Sequence, residues 1–210
     1  HISATELLNS PRIVQLKRKY WEFIETDASE MIWALFGSAV HNILEHGKGD
    51  NHIVEQRLGT DVDGWRLSGA IDLQEEDEDG IGIKDYKVTG AWSVMNEKQD
   101  WHNQLNVYAY LVEKEAKKKV KSLQIVAIVR DWAARDTVKE GYPQSPIATI
   151  DIPLWPMDER EQYIRDRVSL HSAAYFEMET NSELPLCSEE DMWEKPTSYA
   201  VIKVGGVRAK

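Results

Sequence analysis

Residues 69–87 leave this chain the fewest choices. They read Gly69-Ala70-Ile71-Asp72-Leu73, then a run of acids from Glu75 to Asp79, then Gly80-Ile81-Gly82-Ile83-Lys84-Asp85-Tyr86-Lys87. Two apolar runs around an Asp-Gly dipeptide predict an antiparallel hairpin with an acidic tip. Asp72 and Asp85 then fall on neighbouring strands. Because strand side chains alternate, Asp85 and Lys87 share one face and Tyr86 points to the other, leaving its carbonyl beside the charged residues. Taken alone, three such charges read as an exposed salt bridge, which contributes little to stability.

The flanking sequence changes that reading. Upstream stands Gly37-Ser38-Ala39-Val40-His41-Asn42-Ile43-Leu44-Glu45, and downstream Gln104-Leu105-Asn106-Val107-Tyr108. An Asp followed on the next strand by Asp-x-Lys, preceded by Gly-x-x-x-His and followed by Gln-x-x-x-Tyr, resembles the PD-(D/E)XK nuclease superfamily, in its RecB-like exonuclease branch. The resemblance spans His41 to Tyr108; the remaining half of the chain carries no matching motif. It implies an α/β protein with a restriction-endonuclease-like core, a central mixed β-sheet flanked by helices. It further implies a site in which His41, Asp72, Asp85 and the Tyr86 carbonyl hold one or two Mg²⁺ or Mn²⁺ ions. Oxygen-rich ligation suits these hard cations, and one imidazole inclines the set toward Mn²⁺. Lys87 is then catalytic, with Gln104 and Tyr108 orienting it or a nucleotide phosphate; the competing reading of that pair is a core tyrosine beside a polar neighbour. Glu45 reads as a helix-surface carboxylate and Glu55 as a salt-bridge partner, although some relatives place an assisting acid near Glu55.

The activity implied is a metal-dependent deoxyribonuclease of exonuclease type, hydrolysing phosphodiester bonds in DNA replication, recombination or repair. DNA, as linear or single-stranded ends, is the expected partner, with a homo-oligomer or a recombination or replication protein as further candidates. The rival reading is a non-catalytic module that binds DNA ends or docks a recombination partner. Some relatives hold an iron–sulfur cluster whose first cysteine falls near the position of Ser10-Pro11-Arg12. With Cys187 the only cysteine, this chain cannot supply a four-cysteine cluster, so none is expected.

With 210 residues and 42% hydrophobic content, one nuclease domain is the default expectation. No apolar run approaches the roughly 20 residues of a membrane helix, and no signal pattern opens the sequence. A cytoplasmic protein is expected, in the host cytoplasm if a phage encodes it. The net charge of −11 sits awkwardly with a phosphate-binding protein. Its basic clusters, Arg12 with Lys17 to Lys19 and Lys117 to Lys121, read as solvated helix faces ahead of a phosphate track.

Along the chain, Ser3-x-x-Glu6 has capping-box spacing. Residues 11–24 read as a helix burying Ile13, Leu16, Tyr20 and Phe23. A second helix, capped by Asp27 or Ser29 and ending near Gly47, carries a broad stripe of Ile32, Leu35, Phe36, Val40, Ile43 and Leu44 that should be buried. Residues 53–62, 65–73 and 80–88 form a three-stranded meander around turns at Asp63-Gly64 and Asp79-Gly80. Residues 90–97 read as a loop and 98–117 as a helix, with Trp101 and His102 placed to meet a base. Residues 122–130 and 147–154 read as strands joined by a loop carrying Trp132, Tyr142 and Pro143 that is long enough to reach substrate. A charged helix is expected from Pro156 to about Glu179, then an irregular tail ending in a strand at 199–204.

Overall fold

The computed structural model describes residues 1–47, 49–96, 98–180, 183–189, 191–192, 197 and 199. Beyond Tyr199 the expected C-terminal strand lies outside the described residues. The elements in order are β1 (Ile2–Ser3), α1 (Ala4–Leu8), α2 (Pro11–Lys19), α3 (Ile32–Glu45), β2 (His52–Val62), β3 (Trp65–Asp77), β4 (Gly80–Thr89), α4 (Ala91–Met95), α5 (Gln99–Leu111), β5 (Val120–Val129), β6 (Ile147–Ile152) and α6 (Met157–Glu179). No helix among the described residues is long and apolar enough to cross a membrane.

The meander forms, with β2, β3 and β4 antiparallel in sequence order; its first turn is Asp63-Gly64 as expected, while its second is Glu78-Asp79, one residue before the Asp79-Gly80 signal. Helix α5 then carries the chain across to β5, parallel to β4, and β6 returns antiparallel beside β5, which makes the sheet mixed. β2 runs along one edge of β3, while the other edge is divided: β1 pairs at Leu67 and Ser68, and β4 pairs from Leu73 to Asp77. Between those two stretches, residues 69–72 of β3 have no strand partner on that side. The fork so left open is where the candidate site forms.

The hairpin strands are longer than expected. The acidic tip is drawn into the ladder, with Glu75, Glu76 and Asp77 opposite Gly82, Ile81 and Gly80. Each acid finds a cation: Lys84 at 2.7 Å from Glu75, Lys118 at 2.6 Å from Glu76, and Lys121 against Asp77. The lysine cluster expected as a solvated face is thus partly engaged with the acids of the hairpin.

One face of β4 and β5 carries the core. Ile81 and Ile83, with their β5 neighbours Leu123, Ile125 and Ala127, are buried in one cluster with α5 residues Leu105 and Leu111 and α6 residues Ile164 and Val168. Helix α5 is buried along most of its length. It continues through a π turn at Val112–Ala116 and stops at Lys117, whose φ of 57° is left-handed. Trp101 is only 5% exposed and belongs to this core, so it is not placed to meet a base. The loop after β5 is tied down as well: Trp132 donates to the Pro143 carbonyl, and Tyr142 packs with Ala91 and Val129.

Three expectations need correction. Residues 91–95 are helical rather than looped. In α2, Val14 and Gln15 are the buried residues, while Ile13, Tyr20 and Phe23 are exposed. The helix ends at Lys19, and its outer face is free because α6 and the segment around Leu184 meet the opposite side, Arg12 bonding the Leu184 and Pro185 carbonyls. In α3, the apolar stripe has no buried residue; Ile32, Leu35, Phe36 and Ile43 are all exposed. The reason is the face it covers. Helix α3 lies over the Tyr86 side of β4, where Lys84, Tyr86 and Val88, beside Gln124, Val126 and Ile128 of β5, are half-exposed and offer little apolar surface.

Candidate active site

The site grows from two register relations. Counting back along the β3–β4 ladder from Leu73↔Lys84 sets Asp72 across from Asp85, one step past the last ladder pair. There the backbone amide of Tyr86 donates to Asp72 Oδ2 at 2.8 Å, so a carboxylate takes the place of a ladder carbonyl and is fixed by β4 itself. On the other edge, Val54↔Leu73 and Gln56↔Ile71 bracket Glu55 opposite Asp72. Glu55 has a φ of 49°, a left-handed backbone in mid-strand that few side chains adopt without cost.

Helix α3 brings His41 to the same point. Its Nε2 lies 2.9 Å from the Tyr86 carbonyl, which can only accept, so Nε2 carries a proton. Nδ1 then faces Asp72 Oδ2 at 3.5 Å and Glu55 Oε1 at 3.9 Å. The Asp72 carboxylate beside the ring, partly opposed by burial, raises the pKa of His41. Burial and the neighbouring Asp72 charge raise that of Glu55 in turn. One ligand atom from each of His41, Glu55 and Asp72 lies within 4.8 Å of the others.

That arrangement fits a divalent cation. A neutral imidazole with its proton on Nε2 aims a lone pair at two carboxylates, which is unfavourable unless a proton or a cation stands between them. Asp85 adds a second sign. It is 1% exposed, and its Oδ2 is 2.6 Å from Lys87 Nζ without an aligned hydrogen-bond donor. Burial outweighs the attraction of Lys87 and pushes the Asp85 carboxyl up to about 6.

Lys87 is held from both sides. Besides Asp85, its ammonium donates to Gln104 Oε1 at 3.0 Å, and Gln104 Nε2 donates to the Tyr108 hydroxyl at 2.8 Å. Because an ammonium has no acceptor, this order of donors fixes the orientation of the Gln104 amide. Burial keeps the Tyr108 hydroxyl well above its ordinary pKa, so it stays protonated and serves as a fixed post. The ring of Tyr108 rests on β3 where Gly69 leaves room: a Cβ there would come within 2.8 Å of Tyr108 Cε1.

The sequence-derived residues therefore fall into two linked groups. His41 and Asp72 meet Glu55 on the α3 side, while Asp85, Lys87, Gln104 and Tyr108 form a chain on the α5 side. Asp85 is not one of the clustered ligand atoms; its nearest charge is Lys87. The Tyr86 carbonyl is engaged by His41. Glu45 lines the cleft of about 420 Å³ that holds His41 and Glu55. Glu55, a salt-bridge partner by sequence, instead joins the site, and the sequence carries a signal for its place. With Val62 paired to Trp65 across the Asp63-Gly64 turn, seven steps back along each strand meet at Glu55 and Asp72.

The model of the PD-(D/E)XK nuclease superfamily matches residues 46–188. No curated protein matches the sequence. Among solved structures, SSO0001 is similar at a TM-score of 0.57 and 20% identity, over 80% of this chain and 75% of that one. An alkaline exonuclease from Laribacter hongkongensis is similar at 0.49 and 12%, over 86% and 90%. An exonuclease-like protein from Eubacterium rectale follows at 0.42 and 13%, over 90% and 71%. The mixed sheet flanked by helices is thus a restriction-endonuclease-like core, and with the family match covering more than half of its length, the chain belongs to the PD-(D/E)XK nuclease superfamily.

Proposed function

We propose that this protein is a divalent-metal-dependent deoxyribonuclease that hydrolyses phosphodiester bonds inside the cell, in replication, recombination or repair of DNA. The observation that carries the reading is the cluster of His41, Glu55 and Asp72 standing beside a buried carboxylate, Asp85, that is paired with a lysine. A structural salt bridge has no need of that combination. A buried aspartate whose burial outweighs its lysine partner is costly, and a nearby metal would offset the remaining charge.

Asp72, Glu55 and His41 would hold Mg²⁺ or Mn²⁺, with Asp85 and the Tyr86 carbonyl beside them. The bound cation supplies charge to polarise the scissile phosphate and acidify a water. Tyr86 N–H keeps the Asp72 carboxylate turned toward the fork. Lys87, with two of its directions taken by Asp85 and Gln104, has a third N–H free for a phosphate oxygen or the attacking water. Gln104 and Tyr108 hold that ammonium in place and exchange no proton with substrate.

The test is cleavage of end-labelled linear DNA with Mg²⁺, Mn²⁺ or chelator, by the native protein and by Lys87→Ala. Metal-dependent cleavage that Lys87→Ala lowers by about a hundredfold or more, with the fold intact, supports the reading. Mononucleotide release marks exonuclease action and internal fragments endonuclease action. Equal turnover by the two proteins, or equal turnover with and without chelator, would refute it.

A further inference from the structure

Successive turns of α3 line two clefts. Gly37, Ser38, His41 and Glu45 border the one that holds Glu55, and Ile32, Trp33 and Phe36 border a second, of about 600 Å³, closed by Arg130. Trp33, Gly37 and His41 are four residues apart and share one face of the helix. The two clefts therefore follow one another along α3, and the distance from one to the other follows from two independent rulers. Along α3, eight residues from His41 to Trp33 span about 12 Å. Along β4, His41 stands at Tyr86, and the Arg130 amide bonds the Thr89 carbonyl three residues on, about 10 Å away. Midway, a Cβ on Gly37 would meet nothing within 4 Å, so the wall is open where a backbone would pass.

At the far end the Arg130 guanidinium sits 4.3 Å from the centroid of the Trp33 ring. Among the described residues no carboxylate pairs with Arg130, in a chain of net charge −11. One face of the indole is covered by the guanidinium, yet Trp33 is still 56% exposed. A flat aromatic ring backed by an unpaired cation is a surface on which any nucleobase stacks, while the cation attracts the neighbouring phosphates.

We propose that Trp33, backed by Arg130, is a base-stacking platform that seats a single DNA strand whose scissile phosphate lies in the His41–Glu55–Asp72 site. The proposal rests on the nuclease reading and adds how the strand is held. At about 3.4 Å per stacked nucleotide, that distance places the platform three to four nucleotides from the cleaved bond. Stacking carries no sequence code, so the grip is indifferent to base identity but requires a base.

The test is fluorescence anisotropy of labelled oligo-dT, without added metal, on the full chain and on Trp33→Ala, Trp33→Phe and Arg130→Gln, with single abasic sites scanned along the strand. Cleavage kinetics with Mg²⁺ and thermal melts accompany it. Trp33→Ala should bind roughly 5- to 100-fold more weakly, raise KM without changing kcat, and melt with the native protein; Trp33→Phe should recover most of the affinity. An abasic site at one position should weaken the native protein equally and Trp33→Ala no further. Cleavage by the native protein with unchanged affinity and KM in Trp33→Ala would overturn the platform and leave the nuclease standing. Loss of binding in Trp33→Ala, with no cleavage by any form, would keep the platform and remove the nuclease. A native protein that neither binds nor cuts DNA overturns both. A change of oligomeric state in Trp33→Ala at unchanged DNA affinity would make the surface a protein interface and overturn the proposal.

Discussion

Replacing Asp85 by Asn should remove much of the loss of stability that the metal-free protein undergoes as pH rises. Burial pushes the Asp85 carboxyl from its ordinary 3.8 up to about 6. A carboxyl whose pKa is raised on folding binds protons more tightly in the native state, so stability falls as pH rises between the two values. A shift of about two units at about 1.4 kcal/mol each makes the loss about 3 kcal/mol, complete above about pH 7. His41 adds in the same sense, since its raised pKa gives stability present below its ordinary 6.5 and lost as pH rises through the folded value. His171 opposes it below 6.5, because burial lowers its pKa. Comparing the native protein with Asp85→Asn cancels His171, which is common to both. Urea denaturation in chelator at pH 4.5 and 7.5 reads the part of that loss lying above pH 4.5: relative to the native protein, Asp85→Asn should gain about 2 kcal/mol across that interval. Parallel stability curves would refute the argument, since they would mean that Lys87 fully compensates the buried charge and that Asp85 is ionised at no cost. Adding Mn²⁺ at pH 7.5 should restore the native protein and act weakly on the variant.

Other consequences follow from the same geometry. Glu55→Gln should weaken Mn²⁺ binding by about tenfold or more while leaving the melting temperature unchanged or higher; unaltered affinity in a titration would remove Glu55 from the site. Because metal must displace the proton that Asp72 holds on His41, affinity should decline as pH falls through the raised His41 pKa, with proton release on binding; calorimetry in buffers of different ionisation enthalpy counts that proton. Gly69→Ala should destabilise by about 1 to 3 kcal/mol, because the new Cβ would press the Tyr108 ring away from β3. By moving the post that holds Gln104, it should also lower turnover. A Gly69→Ala protein with native stability would show that the ring shifts freely.

Sequence alone determined the elements whose information is local. The Asp63-Gly64 turn with alternating flanks specified the first hairpin, because a two-residue turn sets the strand register on both sides, whereas in the second hairpin the turn is Glu78-Asp79 and Gly80 already pairs with Asp77. The spacing of Gln104 and Tyr108 put both on one helix face, and alternation paired Asp85 with Lys87. Where tertiary structure decided, the cause was a partner chosen at a distance. Helix α3 has the apolar pattern of a core helix, but α5 and α6 cover the buried face of β4 and β5, leaving α3 on the polar one with its large side chains exposed. The lysines of 117–121 look like a solvated patch until the fold brings them to the hairpin acids. Glu55 is one acid among many in the sequence, and it became part of the site because β3 is shared along one edge by β1 and β4. The gap between them opens a fork at Asp72, and only the assembled sheet places His41, Glu55 and Tyr86 around it.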